Sequence, residues 1–325
     1  MRGLTAPPKQ DAPSRAVARI VTLVVLLAAA GFAIYTAVVL QQIDLVEDTR
    51  AEGIALTDPS EVDGLTINVV ADAGGPQPVV ILHDVDISGG LVLGSISETL
   101  PEEYHGVRVD LAGFGYSERI PRESQVHTVA GMADVMAEVL EDRFDGPVPV
   151  VGVGFGGEVA AELAHTYPNL VTGVVLVDVD FWAGRSLLTS VQRLPWVGTA
   201  ATYTWETGGR FATEDWSPYC DEGGWCPTRD EIGLRSFIVS IEDTTNSLHE
   251  FIRTHDAAVA PANLGDITVP VAYVWSRDGV VPFDTIERME EEIPSLIFLE
   301  SPTYQAHMED PATIAAAVRA LTANP

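Results

Sequence analysis

The sequence predicts an α/β fold with a mostly parallel central sheet and helices on both faces, plus a helical cap and one N-terminal transmembrane helix. Three observations predict it. An uncharged apolar run stands near the N-terminus, apolar strand-like runs alternate with amphipathic stretches from residue 64 onward, and one long segment interrupts that alternation. At 325 residues the chain is long enough to bury a large core.

The N-terminal apolar run, Ile20 to Leu40, contains no charged residue. As a helix rising ~1.5 Å per residue it would span ~31 Å, about the thickness of a bilayer's hydrocarbon core. Basic residues dominate before it and acidic residues after it, so the positive-inside rule predicts a single-pass cell-membrane protein. Residues 1–19 are then a cytoplasmic tail, residues 41–63 a tether and first strand, and the remainder is extracytoplasmic. A cleaved signal peptide is the alternative.

The region after residue 64 consists of apolar runs separated by helix-like stretches. Because these runs are continuously apolar rather than alternating, they predict a mostly parallel sheet that is covered on both faces. The core is expected in two parts, residues 64–180 and 263–325. The predicted strands are LTINVVADAG, PVVILHD, GVRVDLAG, VPVVGV, VTGVVLVDV, VPVAYVWS and SLIFLES.

Residues 181–262 interrupt the alternation and are predicted to form a cap over the carboxyl ends of the strands, where α/β sheets bind ligands. The aromatic residues of this segment either form the cap's own core or line an apolar ligand pocket. Its two cysteines, Cys220 and Cys226, are expected to form a disulfide outside the cytoplasm, with two free thiols as the alternative. The segment holds five of the six tryptophans: Trp182, Trp196, Trp205, Trp216 and Trp225.

The charge balance excludes one class of partner. The chain carries 18 basic and 47 acidic residues, a net charge of −29, whereas binding nucleic acid requires a basic face. The glycine-rich turns lack the Lys-Ser/Thr of a phosphate-binding loop, and no cysteine or histidine lies near the cysteine pair to complete a zinc site. We therefore expect no cofactor, no metal and no nucleic acid.

Six motifs follow one another in the order VVILHD, DLAGFGYSE, VGVGFGG, YPNLVTGVVLVDV, VWSRDGVVP and HMEDP. This order resembles the α/β-hydrolase superfamily, in its capped branch of esterases, epoxide hydrolases, dehalogenases and proline iminopeptidases. The resemblance extends from about Gly64 to Leu321 and implies the α/β-hydrolase fold. In this family a serine or aspartate attacks, a histidine activates it or its water, and an acid orients the histidine.

The position of the attacking residue holds a glycine. The resemblance implies a nucleophile at the centre of the turn, which here is Gly154 in VGVGFGG, and glycine has no atom with which to attack. Such a turn costs an ordinary side chain about 1–3 kcal/mol of backbone strain, which glycine avoids. The backbone N–H of Phe155 is still expected to point from a helix N-terminus toward the strand ends, a place suited to polar or anionic groups.

The other catalytic positions that the resemblance implies are altered as well. Aligned on residues 309–311, the histidine position holds Tyr304, whose usual pKa of ~10 excludes a base near neutral pH. A shift of one turn would bring His307 there instead. Asp278 matches the acid position, and without a histidine to orient we expect it to serve a turn or helix cap. The loop on the oxyanion side reads His83-Asp84, where a carboxylate would oppose a developing oxyanion.

Three hypotheses for function follow. The first is a membrane-anchored, catalytically silent hydrolase-fold protein that binds a small apolar or lipid-like ligand, or a protein partner in the cell envelope. The second is a working hydrolase of the ester, amide or epoxide class with displaced residues drawn from His83, Asp84, Asp86, Asp278 and His307. The third is a structural ectodomain with a filled pocket. The predicted pocket is lined by His83, Asp84, Gly154, Phe155, Asp278 and Tyr304.

Overall fold

The computed structural model of the chain describes residues 15–47, 56, 58–121, 124–183, 187–204, 226, 228–255 and 264–323. The statements below on elements and contacts concern these residues. Cys220 lies outside them, as do Trp205, Trp216 and Trp225, so the disulfide stays a prediction.

A seven-stranded sheet forms the centre of the fold, in the order β3-β5-β4-β6-β7-β8-β9. Every neighbouring pair is parallel except β3 and β5, which are antiparallel. All residues of β6 and β8 are buried, as their continuously apolar sequences predict for strands covered on both faces. The strands are β3 (Val69–Ala71), β4 (Gln77–Leu82), β5 (Tyr104–Val109), β6 (Val148–Val153), β7 (Val171–Val177), β8 (Val271–Ser276) and β9 (Ile297–Ser301).

Helices pack on both faces of the sheet, which confirms the predicted fold class. One face buries α3, α4 and α9, and the other buries α2 and α11. A short antiparallel hairpin, β1 (Ser60–Val62) and β2 (Leu65–Ile67), precedes the sheet. The helices of the core are α2 (Gly94–Thr99), α3 (Val129–Arg143), α4 (Phe155–Thr166), α9 (Phe283–Glu292), α10 (Ala306–Glu309) and α11 (Pro311–Ala323).

Between β7 and β8, in the segment predicted to be a cap, the described residues form four α-helices. They are α5 (Leu187–Gln192), α6 (Val197–Thr202), α7 (Arg229–Val239) and α8 (Thr244–Thr254). The two described tryptophans of the segment do not share a core: Trp182 packs against the main core, whereas Trp196 is 75% exposed. Instead, Leu248 and Phe251 of α8 are buried in the main core. We call α5 to α8 the inserted helices.

The N-terminal helix, α1, extends from Arg15 to Val46. It is the one helix of the described chain that is long and apolar enough to cross a membrane, and a signal sequence would satisfy the same criteria. The helix continues six residues beyond Leu40, so residues 41–46, which the sequence assigns to a polar tether, are helical. The reason is tertiary contact, because Ile43 is buried and Val46 partly buried against the rest of the protein.

Glu47 directly follows α1 and is buried, with Oε1 accepting the backbone N–H of Thr245 at 2.7 Å. Burial raises the pKa of the Glu47 carboxyl from 4.5 to about 7. Because the folded protein holds this proton more tightly than the unfolded chain, the stability contributed by the protonated carboxyl is fully present below pH 4.5. It is lost as the pH rises to about 7.

Glu47→Gln is expected to flatten this pH dependence, since an amide keeps an oxygen for Thr245 and carries no charge. Above pH 7 the variant should be more stable than the wild type, by up to about 3 kcal/mol. Unfolding of the full chain in detergent micelles, followed by circular dichroism between pH 4 and 8, measures this. Glu102→Gln, at an exposed position, is the matched control. Parallel pH profiles for Glu47→Gln and the wild type would contradict the expectation.

Candidate functional site

The site is built on the turn between β6 and α4, where the sequence predicts the position of an attacking residue. Gly154 occupies the turn with φ +50° and ψ −118°, and α4 begins at Phe155. Side chains rarely adopt such a backbone, so glycine removes the strain. The next glycine allows close packing, because a Cβ on Gly156 would lie 2.5 Å from the carbonyl oxygen of His83. We call this tight turn between β6 and α4 the elbow, and at its centre Gly154 has no side chain.

The Asp84 carboxylate fills the space in which a side chain on Gly154 would stand. An ideal Cβ on Gly154 would lie 2.2 Å from the Asp84 carboxylate, and the three atoms nearest to it all belong to Asp84. Asp84 Oδ1 accepts the backbone N–H of Phe155 at 2.8 Å. This is the first N–H of α4, where the helix dipole favours a negative charge. Asp84 itself is exposed, so the carboxylate stands in an accessible place.

His83, the neighbour of Asp84, has both ring nitrogens engaged. Nε2 accepts the backbone N–H of Leu111 at 2.9 Å, so the proton of the neutral ring lies on Nδ1. Nδ1 lies 2.5 Å from the carbonyl oxygen of Asp84 and donates to it. The ring is fully buried and meets Phe114 edge to face, with the ring centroids 5.3 Å apart. His83 therefore holds the loop in place and has no nitrogen available as a base.

Asp86 is also bound within the protein. Its Oδ2 pairs with the Arg235 guanidinium at 2.9 Å, and its Oδ1 accepts the backbone N–H of Ser88 at 2.7 Å. The backbone N–H of Asp86 donates to the carbonyl of Asp84 at 2.6 Å. Because Arg235 belongs to α7, this ion pair joins an inserted helix to the loop that carries Asp84.

The acid and histidine positions predicted from the sequence lie on neighbouring loops. The backbone N–H of Asp278 donates to the carbonyl of Thr303 at 3.1 Å, next to Tyr304. The Asp278 side chain is exposed, in a turn closed by the hydrogen bond from the N–H of Gly279 to the carbonyl of Ser276. Tyr304 is half-buried. Asp278 therefore lies in a turn whose backbone is hydrogen-bonded to the loop of Tyr304.

His307 lies on α10 rather than in the loop of Tyr304. Its backbone carbonyl accepts the hydroxyl of Ser95 at 3.0 Å, which fastens α10 to α2. The ring is half-buried, with Nδ1 inaccessible to solvent. The three atoms nearest to a Cβ placed on Gly154 all belong to Asp84. The Asp84 carboxylate, and not His307, is therefore the group closest to that position.

Asp178, at the end of β7, is a site residue that the sequence analysis missed. It has a positive φ of 51° and is bound by Ser276, whose N–H and hydroxyl donate to the two carboxylate oxygens at 2.7 and 2.6 Å. The Ser276 hydroxyl in turn accepts the N–H of Ala306 at 2.8 Å. Burial raises the pKa of Asp178, and the nearby charge of Asp84 adds to that rise. An aspartate directly after an apolar strand was the only sequence signal.

A pair of residues that the sequence also did not predict joins α4 to the residue just after α8. His255 Nε2 lies 3.0 Å from Oε2 of Glu158, and Glu158 is buried in the first turn of α4. The His255 ring stacks on Phe251, with an interplanar angle of 20°, and meets Phe155 edge to face at 5.4 Å. Phe251 also packs on Phe155 with a centroid distance of 4.5 Å. The inserted helix α8 is thus packed directly on the first residue of the elbow helix.

The described residues supply no place for a metal, because no three or more of their His, Cys, Asp or Glu side chains are grouped to hold one. A cavity of about 340 Å³ lies at the opposite edge of the sheet, lined by Gln77, Tyr104, Pro149 and Thr172 among others. It opens at the amino ends of the strands, away from Asp84 and Gly154. We therefore place the candidate site at the elbow and not at this cavity.

Comparisons with known proteins identify the family. The model of the alpha/beta hydrolase family matches residues 79–317, and the chain belongs to that family. It is 27% identical over 241 residues to the pimeloyl-[acyl-carrier protein] methyl ester esterase of Nitrosomonas europaea, covering 70% of this chain and 88% of that protein. Among solved structures it resembles a thermophilic esterase from Thermogutta terrifontis, with a TM-score of 0.63, 22% identity and coverage of 82% and 96%. It also resembles a bacterial membrane phospholipase A, with a TM-score of 0.61, 19% identity and coverage of 96% and 98%.

Gly154→Ala tests whether Asp84 occupies the place of a side chain at the elbow. The strained backbone of the alanine should lower the free energy of unfolding by about 1–3 kcal/mol, and the contact of its Cβ with the carboxylate should lower it further. In an Asp84→Gly background the contact is gone, so the same substitution should cost at least about 1 kcal/mol less. Chemical denaturation of the wild type, both single variants and the double variant measures the coupling. Equal losses in the two backgrounds would show that the carboxylate stands elsewhere.

Proposed function

We propose that this protein is a membrane-anchored, extracytoplasmic member of the alpha/beta hydrolase family whose elbow does not catalyse. Its function is then to bind a small apolar or lipid-like ligand, or a protein partner in the cell envelope. The observation that carries the proposal is the 2.8 Å hydrogen bond from the Phe155 N–H to the Asp84 carboxylate, above a glycine in the nucleophile position.

The silence of the elbow follows from what each position offers. Gly154 has no attacking atom, and the N–H that would stabilise a developing oxyanion already binds a carboxylate. That carboxylate would also repel the negative charge of a tetrahedral intermediate. His83 has both nitrogens engaged with the backbone, and the family's histidine position holds Tyr304.

The membrane anchor is supported by the length and composition of α1, whose span from Ile20 to Val46 has a mean hydropathy of 2.5. The surplus of basic residues before it supports a cytoplasmic N-terminus. A further support is the packing of Val39 and Ile43 against Ala200 and Tyr203, because cleavage of α1 would expose that apolar surface to water. Retention of the chain in membranes during alkaline carbonate extraction tests the anchor.

The class of ligand is supported by the surroundings of the elbow and by the relatives. Phe114, Phe155 and Phe251 form a cluster of aromatic rings behind the Asp84 loop. The Nitrosomonas relative is a pimeloyl-[acyl-carrier protein] methyl ester esterase. An apolar chain with a polar end is the ligand that such a site would accept.

A second candidate function is favoured by one observation. Asp84 is exposed, and its Oδ1 accepts the hydrogen bond from the Phe155 N–H. This bond fixes the orientation of the whole carboxylate, including the second oxygen. A carboxylate held in this way could accept a proton from a water molecule, whose oxygen then attacks an ester, amide or epoxide carbon while the alkoxide or amine that departs takes up a proton. This function is a displaced hydrolase, and it predicts that activity depends on Asp84.

Turnover of short- and long-chain esters by the full chain in micelles separates the two candidates. The proposal predicts a wild-type rate equal to that of buffer. It also predicts that Asp84→Gly, Gly154→Ser and Tyr304→His together produce a protein that reacts with a serine-directed phosphonate. Asp84→Gly is required because a serine Cβ would lie 2.2 Å from the carboxylate.

The matched control is Gly154→Ser alone, in which the carboxylate still stands against the new side chain. Wild-type turnover that Asp84→Asn abolishes would overturn the silent elbow and establish the displaced hydrolase. Turnover that survives Asp84→Asn would overturn both candidates.

A further inference from the structure

One face of the final third of α1 is buried, although residues 20–35 of the helix are exposed. The buried positions recur at helical spacing along that face, whereas Leu45 on the opposite face is 70% exposed. The buried stripe consists of Thr36, Val39, Ile43 and, just after the helix, Glu47, with Leu40 and Val46 partly buried. An anchor that only tethered a separate domain would need no such stripe.

The stripe packs first against α6. Val39 and Ile43 form an apolar cluster with Ala200 and Tyr203. Near this cluster, the hydroxyls of Tyr35 and Thr204 are 2.7 Å apart and hydrogen-bonded. Tyr35 lies five residues before Leu40, within the apolar run, so the segment just after α6 touches α1 about 7 Å inside the end of that run.

The end of α1 reaches the neighbourhood of the site. Val46 packs against a cluster of Ile87, Ile238, Val239 and Ile241, together with Tyr116. Ile87 follows Asp84 by three residues on the same loop. One apolar cluster thus connects α1, the end of α7 and the loop that carries the site carboxylate.

Glu47 continues the connection into α8. Its carboxylate accepts the N–H of Thr245 in the first turn of α8, an arrangement that satisfies a donor at the helix start. At the other end of the same helix, Phe251 packs on Phe155, and His255 binds Glu158 of α4. Because α8 has only 11 residues, one short helix connects the end of α1 to the elbow.

We propose that α1 is an integral part of the packing around the site, so that its seating in the bilayer determines whether α8 stays packed on Phe155 beside the Asp84 loop. The inference rests on the proposed membrane anchoring of α1, and it is independent of whether the elbow is silent. Displacement of α1 along the bilayer would remove the stripe from α6 and Glu47 from α8. The inserted helices would then loosen while the sheet stays folded.

Amide hydrogen exchange of the full chain in lipid nanodiscs tests the proposal with two matched variants. Ile43→Asp places a charge in the buried stripe, and Leu45→Asp places the same charge two residues away on the exposed face. Ile43→Asp should raise exchange in peptides from α6 and α8 at least about tenfold, and also raise it at Phe155. Leu45→Asp should leave both at the wild-type rate, and β6 and β7 should stay protected in both variants.

Unchanged exchange of α8 in Ile43→Asp would overturn the proposal, as would equal acceleration by Leu45→Asp. If Ile43→Asp also raises amide exchange in β6 and β7, the milder Ile43→Ala replaces it in the test. Ile43→Ala must then raise exchange in α8 more than in the sheet. Carbonate extraction of the same samples reports the anchor separately. A chain that is extracted from membranes contradicts the proposed anchoring, whereas a retained chain with unaltered α8 exchange contradicts the coupling alone.

Discussion

The hydrogen bond between the Phe155 N–H and the Asp84 carboxylate is the interaction on which the candidate site depends. The positive φ of Gly154 places the start of α4 so that this N–H faces the carboxyl ends of the strands. A helix N-terminus in such a place binds negative charge, and here the chain supplies the charge itself. Asp84 and a side chain at Gly154 exclude each other, so the loop and the turn form one unit.

Contacts from several elements keep that unit in one arrangement. The ring of His83 joins the Asp84 loop to the backbone of Leu111, and the pair of Arg235 with Asp86 attaches α7 to the same loop. From the other side, Phe251 of α8 packs on Phe155. Because α1 in turn packs on α6 and caps α8, the contacts of the site extend to the N-terminal helix. The elbow is thus held by the inserted helices as well as by the sheet.

The sequence predicted the sheet and the turn because both depend on local pattern: β6 and β8 are continuously apolar, and the glycine turn follows β6 directly. It predicted that Asp84 faces the oxyanion side, but not that its carboxylate fills the nucleophile's place, since that depends on the distance between two loops. Asp178 gave only the signal of a turn residue. The sequence did not predict that residues 41–46 are helical, since they contain polar side chains and the contacts of Ile43 and, just after the helix, Glu47 are tertiary.

A crystal structure of the full chain in lipid, at a resolution that places the Asp84 carboxylate, tests the central claim most directly. We expect Asp84 Oδ1 about 2.8 Å from the Phe155 nitrogen, above a Gly154 with positive φ. An Asp84 side chain turned away from that nitrogen, with the His307 imidazole or another base above Gly154, would contradict it. The elbow would then be open, and the protein would have to be treated as a working hydrolase.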